Sequence, residues 1–381
     1  MKEGWGKYNL MDICNVTTGK HDANHAEVNG KYRFYTCSSQ YLYCNTKRYE
    51  GECIILPGNG VNVGESYYFN GEFDAYQRTY VIDKIDKRII PMFLYYHLQN
   101  NWKSEGVAKQ YGSATNYIKI GNFKDYIVKT PQSLSEQQSI VDYLDAAFAK
   151  IDAMKANAEK SLNEAKALFQ ASLKEMLEPK EGWEEKKVKD FSLLITKGSS
   201  PKWQGNSYVN SDGILFVTSE NVREGRLELN PKKFVDNSFN IKQRRSILKK
   251  FDVLVNIVGA SIGRAAVFDL DVENANINQA VCLIRLDRDK MLPAYLCYFL
   301  NSEHAFKQYA SMVKDTARAN LSLENIGGLE IGIPPLSEQQ SIVATLDSLK
   351  SKVDRLQANF EKISQECDAL KQALLREVFE G

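Results

Sequence analysis

The side chains best suited to binding a polar ligand sit in glycine-rich turns. Asn59 and Asn62 lie within Gly58-Asn-Gly-Val-Asn-Val-Gly64, Lys47 and Arg48 precede Tyr49, and Tyr76, Gln77 and Arg78 follow Phe73-Asp-Ala. Further along, Ser199, Ser200, Lys202 and Trp203 fall in Lys197-Gly-Ser-Ser-Pro-Lys-Trp203, and Ser219, Asn221 and Arg223 fall in Thr218-Ser-Glu-Asn-Val-Arg223. Arg244 and Arg245 are adjacent, Ser261 and Arg264 end the run from Val253, and Asn278-Gln279 is placed like Tyr76-Gln77. Arg and Lys hold phosphates, Arg also reads guanine and Asn or Gln reads adenine, while glycine lets the backbone approach a ligand closely. The chemistry is recognition of a nucleic acid by hydrogen bonds. Residues 1–130 hold 15 of the 20 tyrosines, but most of these aromatics read as strand and core packing, because Tyr and Phe favour half-buried pleated faces.

Catalytic patterns are missing from the sequence. It has no G-x-x-x-x-G-K-[ST], no HExxH and no G-x-G-x-x-G, and Pro334-Pro335 is followed by Leu-Ser, so the Pro-Pro-aromatic motif of amino-methyltransferases is absent. The chain is expected to have no catalytic residues and no cofactor of its own. His21 and His25 are separated by Asp-Ala-Asn and read as a polar turn, so no metal site is expected. Seven cysteines without a CxxC read as reduced, mostly buried thiols. The first dozen residues lack an apolar core and the longest apolar run, Val253 to Gly263, is broken by Asn256, so neither a secretory signal nor a membrane span is expected and the chain reads as cytoplasmic.

What must position these turns is visible as a repeat. Leu134-Ser-Glu-Gln-Gln-Ser-Ile-Val141 recurs unchanged as Leu336 to Val343; Lys2-Glu-Gly-Trp5 returns as Lys180-Glu-Gly-Trp183, and Gly60-Val-Asn-Val-Gly64 resembles Gly259-Ala-Ser-Ile-Gly263. With 43% hydrophobic and 25% charged residues the composition is that of a globular protein. The formal net charge of +1 hides an alternation. Residues 1–130 carry 16 Lys/Arg against 13 Asp/Glu and residues 179–335 carry 22 against 19, whereas 131–178 carry 5 against 8 and 336–381 carry 6 against 8. The chain therefore reads as a body at 1–130, a helix at 131–178, a second body at 179–335 and a second helix at 336–381.

Each Ser-Glu-Gln-Gln predicts a helix start, with Ser135 or Ser337 as cap and Gln138 or Gln340 completing a capping box. The second helix places Leu346, Leu349, Val353, Leu356, Phe360, Ile363, Cys367, Leu370 and Leu374 at alternating spacings of three and four, which is a coiled-coil seam. The first keeps the register with smaller residues, through Leu144, Ala147, Ile151, Met154, Ala158, Ser161, Ala165 and Leu168. Helices of about 66 Å, at 1.5 Å per residue, and a short link to Trp183 predict antiparallel pairing, with Phe360 opposite Met154 to Ala158. The expected fold is mixed α/β, with two globular bodies alternating with two long helices and an approximate internal two-fold repeat. A coiled coil joining two separate chains is the plainer reading of the heptads, and the matched helix lengths favour pairing within one chain.

These features resemble the specificity subunits of type I restriction-modification systems. The resemblance spans essentially the whole chain and rests on the paired helix starts from Pro131 and Pro334, on Gly58 to Gly64 with Phe73 to Thr79, and on Gly198-Ser-Ser-Pro201, Gly259 to Arg264 and Ala275 to Gln279. It implies that each body is a target recognition domain reading one half of an interrupted, asymmetric DNA site, and that the helices form the spacer. It also implies a subunit with no catalysis of its own. Two methyltransferase subunits, which hold S-adenosylmethionine, would bind it, and the assembly can add ATP-driven restriction subunits. The competing reading is a coiled-coil structural adaptor with two peptide- or RNA-binding domains.

Overall fold

A computed structural model describes residues 4–107, 111, 116–312 and 320–380. Lys2-Glu3, half of the first Lys-Glu-Gly-Trp motif, lies outside the described residues, as does Gly381. The chain divides into two compact units, Met1–Glu159 with Asn359–Gly381, and Lys160–Ala358. Each unit holds one body and half of each long helix.

The first unit contains strands β1 (Trp5–Asn9), β2 (Asn15–Thr18), β3 (Tyr32–Tyr35), β4 (Leu42–Cys44), β5 (Glu52–Pro57), β6 (Tyr67–Asn70), β7 (Phe73–Ala75), β8 (Thr79–Asp83) and β9 (Ile127–Pro131). β5 is Glu-Cys-Ile-Ile-Leu-Pro, buried from Cys53 to Pro57, and a strand apolar on both faces belongs inside a sheet. It lies within the order β2-β8-β5-β6, antiparallel throughout. A smaller sheet, β4-β3-β7, pairs β3 with β7 in parallel, and β1 pairs antiparallel with β9. Leu10, Ile54, Leu56, Ile82, Trp102 and Phe123 fill the main core.

The second unit contains β10 (Glu184–Lys187), β11 (Ser192–Lys197), β12 (Tyr208–Val209), β13 (Ile214–Val217), β14 (Val222–Arg223), β15 (Arg226–Leu227), β16 (Phe234–Val235), β17 (Asp252–Asn256), β18 (Ala265–Phe268), β19 (Ala275–Ile277), β20 (Val281–Leu286) and β21 (Glu330–Ile333). Its main sheet, β11-β20-β17-β18, repeats the order of β2-β8-β5-β6. Its second sheet, β12-β16-β13-β19, again contains a parallel pair, β13 with β19, and β10 pairs with β21 as β1 does with β9. The repeat read from short motifs is therefore a repeat of topology.

In each body a short helix with proline in its first turn, where no amide hydrogen bond is lost, packs beside the start of a long helix: Pro91–Asn101 in the first and Pro293–Leu300 in the second. The long helices run Leu134–Leu177 and Leu336–Glu380. Their starts differ from the expected capping boxes. Ser133 Oγ, not Ser135, accepts the Glu136 amide, and the second helix opens on the Pro335 carbonyl, which accepts the amides of Glu338 and Gln339. Gln138 turns to Asp142 at 2.7 Å. The repeated glutamine that matters is the preceding one. Gln137 and Gln339 are fully buried, each Oε1 accepting from the Pro-helix entry (Ile90 N, 2.8 Å; Leu292 N, 2.9 Å) and each Nε2 donating to two carbonyls. Nearby, Tyr96 donates to Asp145 and Tyr298 donates to Asp347.

The helix halves are antiparallel within each unit. In the first, Asp152 pairs with Lys371 (2.6 Å), Lys155 with Asp368 (3.4 Å), and the Cys367 thiol faces the Ile151 carbonyl; in the second, Lys166 donates to Gln357 (2.8 Å). The C-terminal turn returns to the first body, where Phe379 packs edge-on against Trp5 and Phe93. Leu144, Ile151 and Leu346 are buried, Ala158, Leu349, Val353, Leu356, Phe360, Ile363 and Leu374 are half-buried, and Met154, Leu168 and Leu370 are exposed. The spacing of three and four in the first helix takes the opposite phase to the one expected. Leu162 and Phe169 turn inward in place of Ser161 and Leu168, and Phe148 is half-buried beside the half-buried Ala147, since the bulkier apolar side chains remove more surface from water. Leu370 gives way to Lys371, whose ammonium lies over the Phe148 ring (5.2 Å) and pairs with Asp152.

Candidate nucleic-acid interface

In the first body the turn after β5 and the turn between β7 and β8 are bound into one unit. Gly58 donates its amide to Arg78 O (2.9 Å), Ile118 donates to Gly58 O (2.9 Å), and Gly60 donates to Asn116 O (2.9 Å). Gly60 has φ +87°, a conformation costly for a residue with a Cβ, and its counterpart Gly259 has φ +79°. Tyr76 donates to Tyr35 O and Gln77 to His21 O, both at 2.9 Å. Gly19 closes the same junction. A Cβ there would lie 1.8 Å from Ala75 O, and one at Gly198 would lie 1.8 Å from Ile277 O. With the backbone held, the side chains of Gln77 and Arg78 are exposed and have no hydrogen-bond or ion-pair partner among the described residues.

Other expected contacts are used internally. Asn62 Nδ2 donates to Cys37 O (2.8 Å), which staples two turns together. Lys47 pairs with Glu72 and approaches Glu50 (3.9 Å). Arg48 is exposed and lies over the Tyr49 ring (5.7 Å), and Asn59 and Tyr76 are partly exposed. An aromatic and cationic patch was not among the expected contacts. Arg33 lies over the rings of Tyr41 (4.3 Å) and Phe69 (4.4 Å) and donates to the Tyr35 hydroxyl (3.2 Å), a bond that favours its charged form. Tyr41 and Tyr43, two apart on one face, are both exposed. The clusters Tyr32-Arg-Phe-Tyr35 and Tyr41-Leu-Tyr43 carried that signal.

In the second body, Asn278 donates its amide to Val217 O (3.0 Å), joining the turn after β19 to β13 much as Tyr76 is joined to β3. Its side chain accepts the Ala280 amide, leaving Gln279 partly exposed. Asn221 is buried, accepting from Thr218 and donating to Glu228 O, so it shapes the turn and does not face a ligand. Arg223 is paired with Glu228 (3.0 Å), and Ser261 Oγ accepts from buried Asn256, which also donates to Ser219 O. Ser199 accepts from Gln204, and Ser200 O receives the Trp203 amide. The groups left facing outward are Lys202, Trp203 (74% exposed), Arg244, Arg245 and Arg264.

Both bodies thus carry a glutamine, exposed Gln77 and partly exposed Gln279, on turns tied at equivalent points of the same scaffold, with exposed Arg and aromatic groups elsewhere on each. The family model for the type I restriction modification DNA specificity domain matches residues 2–164 and again residues 180–365. The chain belongs to this family. It is 24% identical to the specificity subunit of the type I restriction enzyme EcoDI from Escherichia coli, over 99% of this chain and 88% of that one. It is likewise 24% identical to the EcoBI specificity subunit of Escherichia coli, over 78% of this chain and 66% of that one. A solved chain from work on complex assembly and conformational transition of the type I R-M system superposes with a TM-score of 0.75 at 17% identity, covering 99% of this chain and 98% of that one. The HsdS subunit from Thermoanaerobacter tengcongensis gives 0.56 at 17% identity, covering 100% and 97%. At such identities these structures speak for the shared fold. Among the described residues no helix is long and apolar enough to cross a membrane.

Proposed function

We propose that this chain is the DNA sequence-recognition subunit of a type I restriction-modification complex, acting in the cytoplasm without catalysis of its own. The observation that carries this reading is the double match to a DNA specificity domain on a scaffold whose exposed turns differ between the two bodies. Tyr76-Gln77-Arg78 in the first body is replaced by Asn278-Gln279-Ala280 in the second. Different side chains on equivalent turns suit two different half-sites. The bodies, 1–130 and 179–335, are the two target recognition domains, and the helices set the half-site spacing. The acidic surplus on the outer helix faces is offered to two methyltransferase subunits, which carry S-adenosylmethionine, and the complex can add ATP-dependent restriction subunits.

The test is to express the chain with a methyltransferase subunit and map methylated adenines across genomic DNA. A gapped, two-part motif that vanishes when this chain is deleted supports the reading. Methylation that persists without it, or failure of the two proteins to form a complex, moves the function to an adaptor with peptide- or RNA-binding bodies.

A further inference from the structure

Asp74, in the centre of β7, is 1% exposed. Its Oδ1 accepts the Ala75 amide (2.8 Å) and its Oδ2 accepts the Thr46 hydroxyl (2.6 Å), two neutral donors around a buried carboxylate. Facing it are His21, with Nε2 at 3.5 Å from Oδ2, and His25, whose ring stacks on that of His21 with centroids 3.7 Å apart. The corresponding strand of the second body, β19, carries Asn276. Asn276 Oδ1 accepts the next amide in the same way (Ile277 N, 2.8 Å), but its Nδ2 donates to Asn240 Oδ1 and Gln243 O. One body therefore has a neutral amide with protein partners where the other has a carboxylate turned towards two imidazoles. Taking a carboxylate out of water is costly, and a positive charge beside it offsets that cost.

We propose that His21, His25 and Asp74 form a binding site for a divalent transition-metal cation of the zinc class. Ligand atoms of the three residues all lie within 4.8 Å of one another. The 3.5 Å between His21 Nε2 and Asp74 Oδ2 already matches the edge of a tetrahedral zinc site, about 3.4 Å for bonds of about 2.1 Å. Thr46 has one hydroxyl proton and gives it to Asp74, so His25 Nε2–H donates to Thr46 (2.8 Å) and the lone pair of the neutral ring resides on Nδ1. A ligating histidine whose other nitrogen is tied to a neighbour is the usual outer support of such sites. The parallel rings must splay for both to reach one ion, and the His21 side chain, 38% exposed, has room to turn. Two imidazoles with one carboxylate favour zinc-like ions over calcium or magnesium, which take oxygen ligands. Water supplies the fourth position.

The site lies beside the first body's exposed turn. His25 closes the short turn Ala23–His25, Asp74 is two residues before Tyr76, and His21 O already accepts the Gln77 amide. A bound ion clamps these segments together and stiffens the turn carrying Gln77 and Arg78, a constraint the second body obtains from Asn240 and Gln243. The spacing of His21 and His25 alone gave no sign of it, because the third ligand is 49 residues further along.

The full-length chain, equilibrated with zinc alone and passed through a desalting column, is expected to retain one zinc per chain by elemental mass spectrometry. Cobalt in its place should give a tetrahedral visible spectrum without a thiolate charge-transfer band. Asp74→Asn, which places an amide where Asn276 stands in the second body, and His25→Ala should each abolish retention. They should also abolish any rise of the thermal midpoint on adding zinc, while the metal-free midpoint shows that they fold. If His25→Ala does not fold, His21→Gln takes its place. No zinc on the unaltered chain, or zinc retained equally by Asp74→Asn and the histidine variant, overturns the proposal; the second result would assign the metal to the cysteines. Zinc is read here without DNA, so the outcome does not depend on what the turns recognise.

Discussion

Gln137 and Gln339 make the same hydrogen bonds at the same sequence separations: each side chain reaches back 47 residues to an amide and 49 residues to a carbonyl. Both are fully buried. Every polar atom of the side-chain amide is used, because Nε2 also donates to Pro131 O or Pro334 O. Gln137→Ala would strand the Ile90 amide and the Arg88 carbonyl, while Pro131 O keeps the Thr130 hydroxyl, at a cost of about 1–3 kcal/mol in unfolding free energy. Gln137→Glu should cost more, since a carboxylate can accept from Ile90 but meets the two carbonyls with lone pairs. Denaturant unfolding of the two variants checks the order; equal stability of the unaltered chain and Gln137→Glu would remove the glutamine from this role.

The exact repetition of Leu134 to Val141 made the two-body, two-helix organisation legible in the sequence, but it pointed to the wrong glutamine. Ser-x-x-Gln is a local pattern, whereas the partners of Gln137 lie on a loop 47 to 49 residues away. That loop had its own readable signal. Pro91, Leu94, Tyr96 and Leu98 recur as Pro293, Leu296, Tyr298 and Leu300, and both tyrosines donate to an aspartate 49 residues on. The seam was legible to the heptad, since Leu144, Ile151 and Ala158 face inward, but not to the intervening position, where Met154 is 58% exposed. Spacings of three then four and of four then three share every seventh residue. Polar side chains in the turns were the least legible, because whether an asparagine faces a ligand or staples a turn depends on a distant carbonyl, such as Cys37 O for Asn62.

That distinction separates two substitutions. Gln77 is exposed on a backbone fixed by His21 O, so Gln77→Ala should leave the thermal midpoint unchanged and relax selectivity at one half-site by about 1–3 kcal/mol. Asn221 is buried and holds Thr218 and Glu228 O, so Asn221→Ala should lower stability by about 1–3 kcal/mol. Thermal unfolding beside binding to a panel of half-site variants resolves the two. A uniform loss of DNA affinity in Gln77→Ala would make that residue a phosphate contact.

Arg244 and Arg245 occupy a short turn, both exposed and without an ion-pair partner among the described residues. As phosphate contacts they would release counterions on binding. Replacing both with Ala should lower the slope of log affinity against log salt by about 2, with selectivity between sequences retained. An unchanged slope would place this turn away from the DNA.

His97 supplies a pH dependence whose sign follows from its hydrogen bonds. Its Nε2 accepts the Lys129 amide (3.2 Å) and faces Asn101 Nδ2 (3.3 Å), so the ring proton sits on Nδ1 and points to the Tyr126 hydroxyl (3.1 Å). A second proton on Nε2 would meet two donors. Burial, with the charge of Lys129 nearby, holds the imidazole down from 6.5 to about 3. The unfolded chain takes up a proton near pH 6.5 that the folded chain refuses until about pH 3, so the contribution is intact above pH 6.5 and is lost as pH falls through that window. The loss approaches about 1.4 kcal/mol per pH unit inside the window. His97→Gln, which cannot titrate, should give a shallower fall in unfolding free energy between about pH 6 and pH 4 than the unaltered chain. Comparing the two slopes isolates this residue from the carboxylates that titrate in the same range, and parallel slopes would show that His97 already accepts its proton in the folded protein.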